Sequence, residues 1–472
     1  MIRKKWSLVF YVLMLGGFAV LLYWVLQYGQ QMESRKAVSP VHETVKPAVD
    51  AEKNRLLFDT FGHHLLQPLP VLLLQIMVIV LVARFFGILF NKMGHPAVVG
   101  EIVAGVALGP SLLGYCLPAV ADFLFPAASM GNLQFLSQVG LILFMFVIGM
   151  ELDASLLRKQ AYEAVIISHA SIVIPYALGL VLACFLYPSF APPHVSFLSF
   201  SLFMGIAMSI TAFPVLARML QERAMTGTRL GTMALTCAAS DDVTAWCILA
   251  VLIAIIKAES SVSAFFMIGL VLLYIGVMAW LVRPALRRLY MVYGNRPVMS
   301  KTILALVFMV LLLSAYLTEA IGIHALFGSF MAGVIMPGKQ EFRKRVTDKI
   351  EDISVVLLLP LFFVFTGLRT RVGLLNQGYL WAAAGWILLA AVAGKFGGGT
   401  LSAKITGQNW KDSFSIGVLM NTRGLMELVV LNIGYDLGIL SPEIFTMMVL
   451  MALLTTLMTG PALNLINRIA PH

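Results

Sequence analysis

The chain has 472 residues, 60% of them hydrophobic and only 12% charged, with a formal net charge of +10. Soluble domains carry about 25% charged residues, so the composition excludes a soluble globular protein and leaves no room for a separate soluble domain. The positive balance would suggest nucleic acid in a soluble chain; here it reflects the Lys and Arg that membrane proteins gather in their cytoplasmic loops.

Fourteen apolar segments read as helices, at about 6–28, 66–90, 95–115, 133–151, 161–187, 196–220, 228–256, 262–282, 302–318, 321–337, 351–368, 378–402, 413–435 and 442–467. A helix of roughly 20 apolar residues crosses a bilayer. The first segment follows MIRKK and is about 22 residues long, longer than the core of a secretory signal, so it reads as a retained anchor. Residues 29–64 are polar and form the one long loop, expected outside. Of the four cysteines, Cys184, Cys237 and Cys247 fall in apolar runs and Cys116 does not. None shows metal-ligand spacing, so neither disulfides nor zinc are expected.

Orientation follows from the basic residues. With the N-terminus inside, the cytoplasmic loops and the helix ends beside them hold 23 of the 33 Lys and Arg, including Arg343, Lys344 and Arg345. The opposite side holds eight, five of them in the 29–64 loop, and the two others, Lys395 and Arg423, lie within spans. The chain therefore reads as a multi-pass protein of the cell (inner) membrane with both termini cytoplasmic.

The sequence repeats itself. GHPAVVGEIVAGVALGP from Gly94 matches GIHALFGSFMAGVIMP from Gly322, LILFMFVIG from Leu141 matches LPLFFVFTG from Leu359, and GIAMSITAFP from Gly205 matches GVLMNTRGLM from Gly417. The offsets are 228, 218 and 212, so the three pairs keep one order. Small residues every fourth position let any membrane helices approach, which explains the composition but not the order. The matched helices are the third and tenth, so the copies cross in opposite senses. Two inverted repeats of six helices, about 66–257 and 301–467, joined by the span 262–282, form an architecture of secondary transporters. Residues 1–65 then form an anchor and external loop ahead of one transmembrane domain, 66–467.

Each copy holds one interrupted helix. MSITAFPVLARML carries Pro214 within the span, beside Ser209 and Thr211, and its partner MNTRGLMELVVLNIG carries Asn421, Thr422, Arg423, Gly424 and Glu427. A proline kink alone would account for Pro214; a matched interruption in the second copy argues for paired broken helices, whose freed carbonyls and N–H groups hold dehydrated ions.

The charges inside the spans point to the chemistry. Asp241 and Asp242 lie halfway along the apolar TCAASDDVTAWCILA, where an unpaired ion costs at least a few kcal/mol. Successive helical residues diverge by about 100°, so one carboxylate meets an ion while the other meets a second partner. Thr211, Ser209 and freed carbonyls complete an oxygen set suited to a hard cation. Lys395, deep in AAVAGKFGGGTLSAK, is either a proton carrier or a fixed counter-ion to one aspartate. Arg423 and Glu427, four apart, share a helical face and form a neutralising pair at the helix crossing. Glu101 pairs in the repeat with Ser329, so no charge is required there, His169 and His324 are read as packing residues, and no phosphate loop, dinucleotide fingerprint or nucleophile elbow occurs. No catalytic residue and no cofactor are expected, and the chain is not read as an enzyme.

Together, GHPAVVGEIVAGVALGPSLLG, MSITAFPVLARML, SDDVTAWCILA, GKFGGGTLSAK and MNTRGLMELVVLNIGYDLGIL resemble the monovalent cation:proton antiporters, in the branch of plant cation/proton exchangers and bacterial sodium or potassium antiporters. The resemblance spans about residues 66–467. It implies an all-α homodimer of the sodium/proton antiporter fold, about 13 core spans plus an N-terminal helix, with a core domain moving against a dimerisation domain. It further implies Asp242 as the cation- and proton-binding carboxylate, Asp241 as its neighbour, Lys395 as the core lysine, and Thr211 and Asn421 on the crossed unwound segments. The expected function is exchange of Na⁺ or K⁺ for protons by alternating access, electrogenic because two aspartates and a lysine titrate. The alternatives are a cation channel, for which no filter-like repeat is seen, and a Na⁺-coupled symporter of an organic anion, which gives no reason for adjacent aspartates.

Overall fold

In the computed structural model, residues 2–33, 67–151, 161–225, 227–257, 261–293, 301–337 and 340–469 are described. From residue 34 on, the expected outer loop of 29–64 lies outside them, as do Arg158 and Lys159. Every described element is helical. Among the described residues, twelve helices are long and apolar enough to cross a membrane, and two shorter apolar helices, Val12–Gln27 and Ala325–Ile335, correspond to the two remaining expected spans. The chain is a multi-pass membrane protein.

Boundaries differ from the sequence reading in two instructive places. The span expected at 321–337 is shortened to Ala325–Ile335, because the chain turns sharply at Gly322 (φ +97°) and His324 (φ +90°) before re-entering a helix. Residues 340–350, expected as a loop ahead of the span 351–368, instead begin an amphipathic helix, Gln340–Ile353, which runs through a π-helical turn at Ser354–Leu358 into Leu359–Arg369. Arg343 holds this junction: its guanidinium donates to Met150 O (2.7 Å), Met336 O (2.8 Å) and Val334 O (3.1 Å), closing helix ends that would otherwise expose bare carbonyls.

The helices sort into two packed groups. One contains Pro68–Lys92, Ala97–Leu108, Met130–Glu151, Lys301–Ile321, Ala325–Ile335 and Leu359–Arg369. The other contains Ala161–Phe190, Phe197–Ser209, Phe213–Glu222, Arg229–Lys257, the helical run from Gly378 to Ile405, Trp410–Met420, Leu425–Asp436 and Pro442–Ile469. The N-terminal helix Ile2–Glu33 lies against Ala161–Phe190 and Phe197–Ser209, with Val25 fully buried and Phe18 edge-on to Tyr176.

The matched glycines of the repeat meet across the copies. A Cβ on Gly367 would collide with the backbone of Gly105, and one on Gly333 with the backbone from Phe146 to Gly149. Ala97–Leu108 thus packs on Leu359–Arg369 as Ala325–Ile335 packs on Met130–Glu151, with backbones at the close approach that only glycine permits.

Candidate functional site

Both interrupted helices are present and they cross. Phe197–Ser209 stops at Ile210, and the chain runs extended to Ala212 before Phe213–Glu222 resumes with Pro214 in its first turn. Pro214 has no N–H to satisfy there, so it starts a half-helix and does not kink a continuous one. Trp410–Met420 stops at Asn421, and Leu425–Asp436 resumes after Gly424, whose φ of +151° is open to glycine. The breaks touch: the Ala212 N–H donates to Thr422 O at 3.1 Å, and Thr211 Oγ1 donates to Met420 O at 3.2 Å.

Arg423 closes the crossing from one side. Its Nη1 donates to Ala207 O (3.1 Å) and to Glu427 Oε1 (3.0 Å), and its Nη2 donates to Met208 O (2.6 Å). The guanidinium is fully buried, and it compensates the negative end of the Phe197–Ser209 half-helix while Glu427 sits in the first turn of Leu425–Asp436. Thr456, on the last helix, donates to Arg423 O (2.7 Å) and accepts from Arg423 N–H (3.2 Å), and Thr422 Oγ1 meets Thr459 Oγ1 at 3.3 Å.

The carboxylates divide between two surroundings. Asp241 accepts from Ser168 Oγ (2.6 Å) on one oxygen, and from Thr211 Oγ1 (2.7 Å), Ser171 Oγ (3.2 Å) and Lys395 Nζ (3.0 Å) on the other. Lys395 sits in a π-helical turn, Ala393–Gly397, and also donates to Ser171 Oγ (3.0 Å) and Thr211 Oγ1 (2.6 Å). Gly394 lets this turn lie against the backbone of Pro175, which brings the ammonium over Ser171. Asp242, one residue on, is equally buried, at 1% exposure, yet neither of its oxygens has a hydrogen-bond partner among the described residues.

Of the residues singled out in the sequence, Asp241, Thr211 and Lys395 form one bonded cluster, with Asp242 adjoining it on the same helix. Asn421, Thr422, Arg423 and Glu427 form the crossing, where Asn421 Oδ1 is buried without a partner among the described residues. Ser209 stands apart from the carboxylates, its hydroxyl donating to Gly205 O (2.7 Å) and Ile172 O (3.0 Å). Ser168 and Ser171 were missed. Their only signal is a spacing of three on the helix Ala161–Phe190, which puts both hydroxyls on one face.

Comparison with known proteins follows the same line. Residues 77–467 match the family described as sodium/hydrogen exchanger, transmembrane, and the chain belongs to it. It is 43% identical over 394 residues to the Na(+)/H(+) antiporter NhaS4 of Synechocystis sp., covering 83% of this chain and 96% of that relative. It is 33% identical to the K(+)/H(+) antiporter 1 of Saccharomyces cerevisiae, covering 86% of this chain and 47% of that relative. With Cation/H(+) antiporter 17 of Arabidopsis thaliana the identity is 38%, covering 83% of this chain and 48% of that relative. The chain therefore spans about half the length of the yeast and plant proteins. Its fold matches the sodium proton antiporter MjNhaP1 of Methanocaldococcus jannaschii with a TM-score of 0.63 at 14% identity, over 85% of this chain and 98% of the other.

Proposed function

We propose that the chain exchanges a monovalent alkali cation, Na⁺ or K⁺, for protons by alternating access, with Asp242 as the carboxylate both ions share. The observation that carries this reading is the asymmetry of the acidic pair. Asp241 is compensated by Lys395 and three hydroxyls, whereas Asp242 is buried with both oxygens free among the described residues. A lone carboxylate charge in an apolar interior is prohibitively costly, so Asp242 holds either a proton or a cation. Replacing one by the other is the elementary step of exchange. A channel needs a continuous wet path, which accords poorly with carboxylates at 0% and 1% exposure.

In this reading the two six-helix copies are inverted repeats, and the group bearing the carboxylates moves against the group bearing the glycine contacts. The chain works as a homodimer in the inner membrane with both termini cytoplasmic and residues 1–65 forming an anchor and outer loop. Lys395 releases a second proton in each cycle, which makes exchange electrogenic.

The test is purified protein in liposomes with an internal pH dye, challenged with each alkali cation in turn. Parental protein is expected to move protons on addition of Na⁺ or K⁺, and Asp242→Asn, which preserves shape and removes the exchangeable charge, is expected to be silent with an unchanged thermal unfolding profile. Near-parental proton movement by Asp242→Asn overturns the assignment.

A further inference from the structure

The two helix groups are tied together at one end by Arg369, the last residue of Leu359–Arg369. Its Nη2 pairs with Asp436 Oδ1 at 2.7 Å and its Nη1 donates to Asn432 Oδ1 at 3.1 Å, both on Leu425–Asp436, the helix that begins at the second break. Asn432 is held in register for this: its Nδ2 donates to Thr366 Oγ1 (2.8 Å) and Leu428 O (2.9 Å), which leaves Oδ1 turned to the guanidinium. The Arg369 guanidinium carbon lies over the Phe365 ring (4.2 Å to the ring centre) and the Tyr435 ring (5.2 Å). Its two partners, Asn432 and Asp436, also line a small cavity between the two groups, whose other polar lining is Gln134, Ser137, Gln138 and His324 and whose remaining wall is apolar, with Phe362 and Phe365 among it. Asp436 lies 12 residues along its helix from Gly424, about 18 Å of helical rise.

We propose that this cavity is the cation's vestibule on the face carrying residues 370–377 and 436–441, and that Arg369 is its gate, a tethered cation occupying the oxygens a hydrated alkali ion would otherwise meet on entry. The chemistry supports it. The Asp436 carboxylate and Asn432 amide oxygen are the hard oxygen donors that alkali ions take, and the amide and hydroxyl side chains of Gln134, Ser137 and Gln138 replace water around an ion in transit. A guanidinium binds the same oxygens through a planar fork and is always charged, so opening the vestibule requires it to swing aside as the two groups separate. Glu319 and Lys257 are the other charged groups near His324, at the edge of the cavity. The inference rests on the exchange function proposed above and adds a residue that controls entry from one face.

Arg369→Gln removes the tethered competitor and is expected to lower the half-saturating Na⁺ or K⁺ concentration on that face by up to about fivefold, the upper end of what a partly exposed ion pair contributes. Asp436→Asn is expected to raise it, and neither changes the half-saturating concentration on the opposite face. The measurement is cation-dependent proton movement in right-side-out and inside-out membrane vesicles. Arg369→Lys, which keeps the charge and loses the fork, is expected to fall between parent and Arg369→Gln, and it carries the test should Arg369→Gln fail to fold. Identical half-saturation in parent and variants, or equal shifts on both faces, overturns the gate. Asp242→Asn in the same vesicles separates the two ideas. If the parent moves no protons, the exchange reading falls; if Asp242→Asn transports, the Asp242 assignment falls; if it is silent while the Arg369 variants match the parent, only the gate does.

Discussion

Lys395 and Asp241 form an ion pair at 3.0 Å with both side chains at 0% exposure. Removing one member of such a pair strands the other charge and costs about 3–5 kcal/mol, whereas removing both is often neutral. Lys395→Met is therefore expected to lower the midpoint of thermal unfolding in detergent markedly, and the double variant Lys395→Met with Asp241→Asn to recover most of the loss. A single variant as stable as the parent would contradict the pairing. Much of this cluster was legible in the sequence: adjacent helical residues diverge, so one aspartate had to find a partner separate from its neighbour's, and a lysine deep in a span had to be compensated. Which aspartate pairs with Lys395 was not legible from the residues alone, because it depends on how Arg229–Lys257 is rotated. The serines were invisible for the same reason, since a hydroxyl in a membrane helix most often bonds its own carbonyls four residues back. Ser209 does so.

The break before Leu425–Asp436 depends on Gly424. At φ +151° any side chain is strained, and a Cβ would also lie 3.0 Å from Val215 Cγ2 on the opposing half-helix. Gly424→Ala is expected to cost about 1–3 kcal/mol and to abolish transport. Adding Val215→Ala relieves the contact but not the backbone, so the double variant is expected to regain part of the thermal stability and little transport. Full recovery would show that space alone was the constraint. The spans themselves were plain in the sequence, since a run of apolar residues is its own signal. The helix Gln340–Ile353 was hidden because its charges read as a loop; its amphipathic face is seen only when Phe342, Val346 and Ile350, spaced by four and buried, are taken together.

For the molecule as a transporter, two outcomes follow from one carboxylate serving both ions. As pH falls, protons occupy Asp242 more often, so the cation concentration for half-maximal transport is expected to rise; a value constant across pH would exclude a shared site. If Lys395 releases the second proton, each cycle moves one net charge, worth about 2.3 kcal/mol per 100 mV. The reversal point of exchange in voltage-clamped liposomes is then expected to move with the imposed potential, and a reversal point indifferent to voltage would show one-for-one exchange. Both outcomes require the interruptions to persist through every cycle, and the bond from Ala212 N–H to Thr422 O bears on that directly. An interrupted helix ordinarily tends to heal, since its loose amides and carbonyls gain by winding into a continuous coil. Here the amide freed by one gap is satisfied by the carbonyl freed by the other, so neither helix can close its gap without orphaning a group in its counterpart. Each interruption is the other's spacer, and the two open or survive only together.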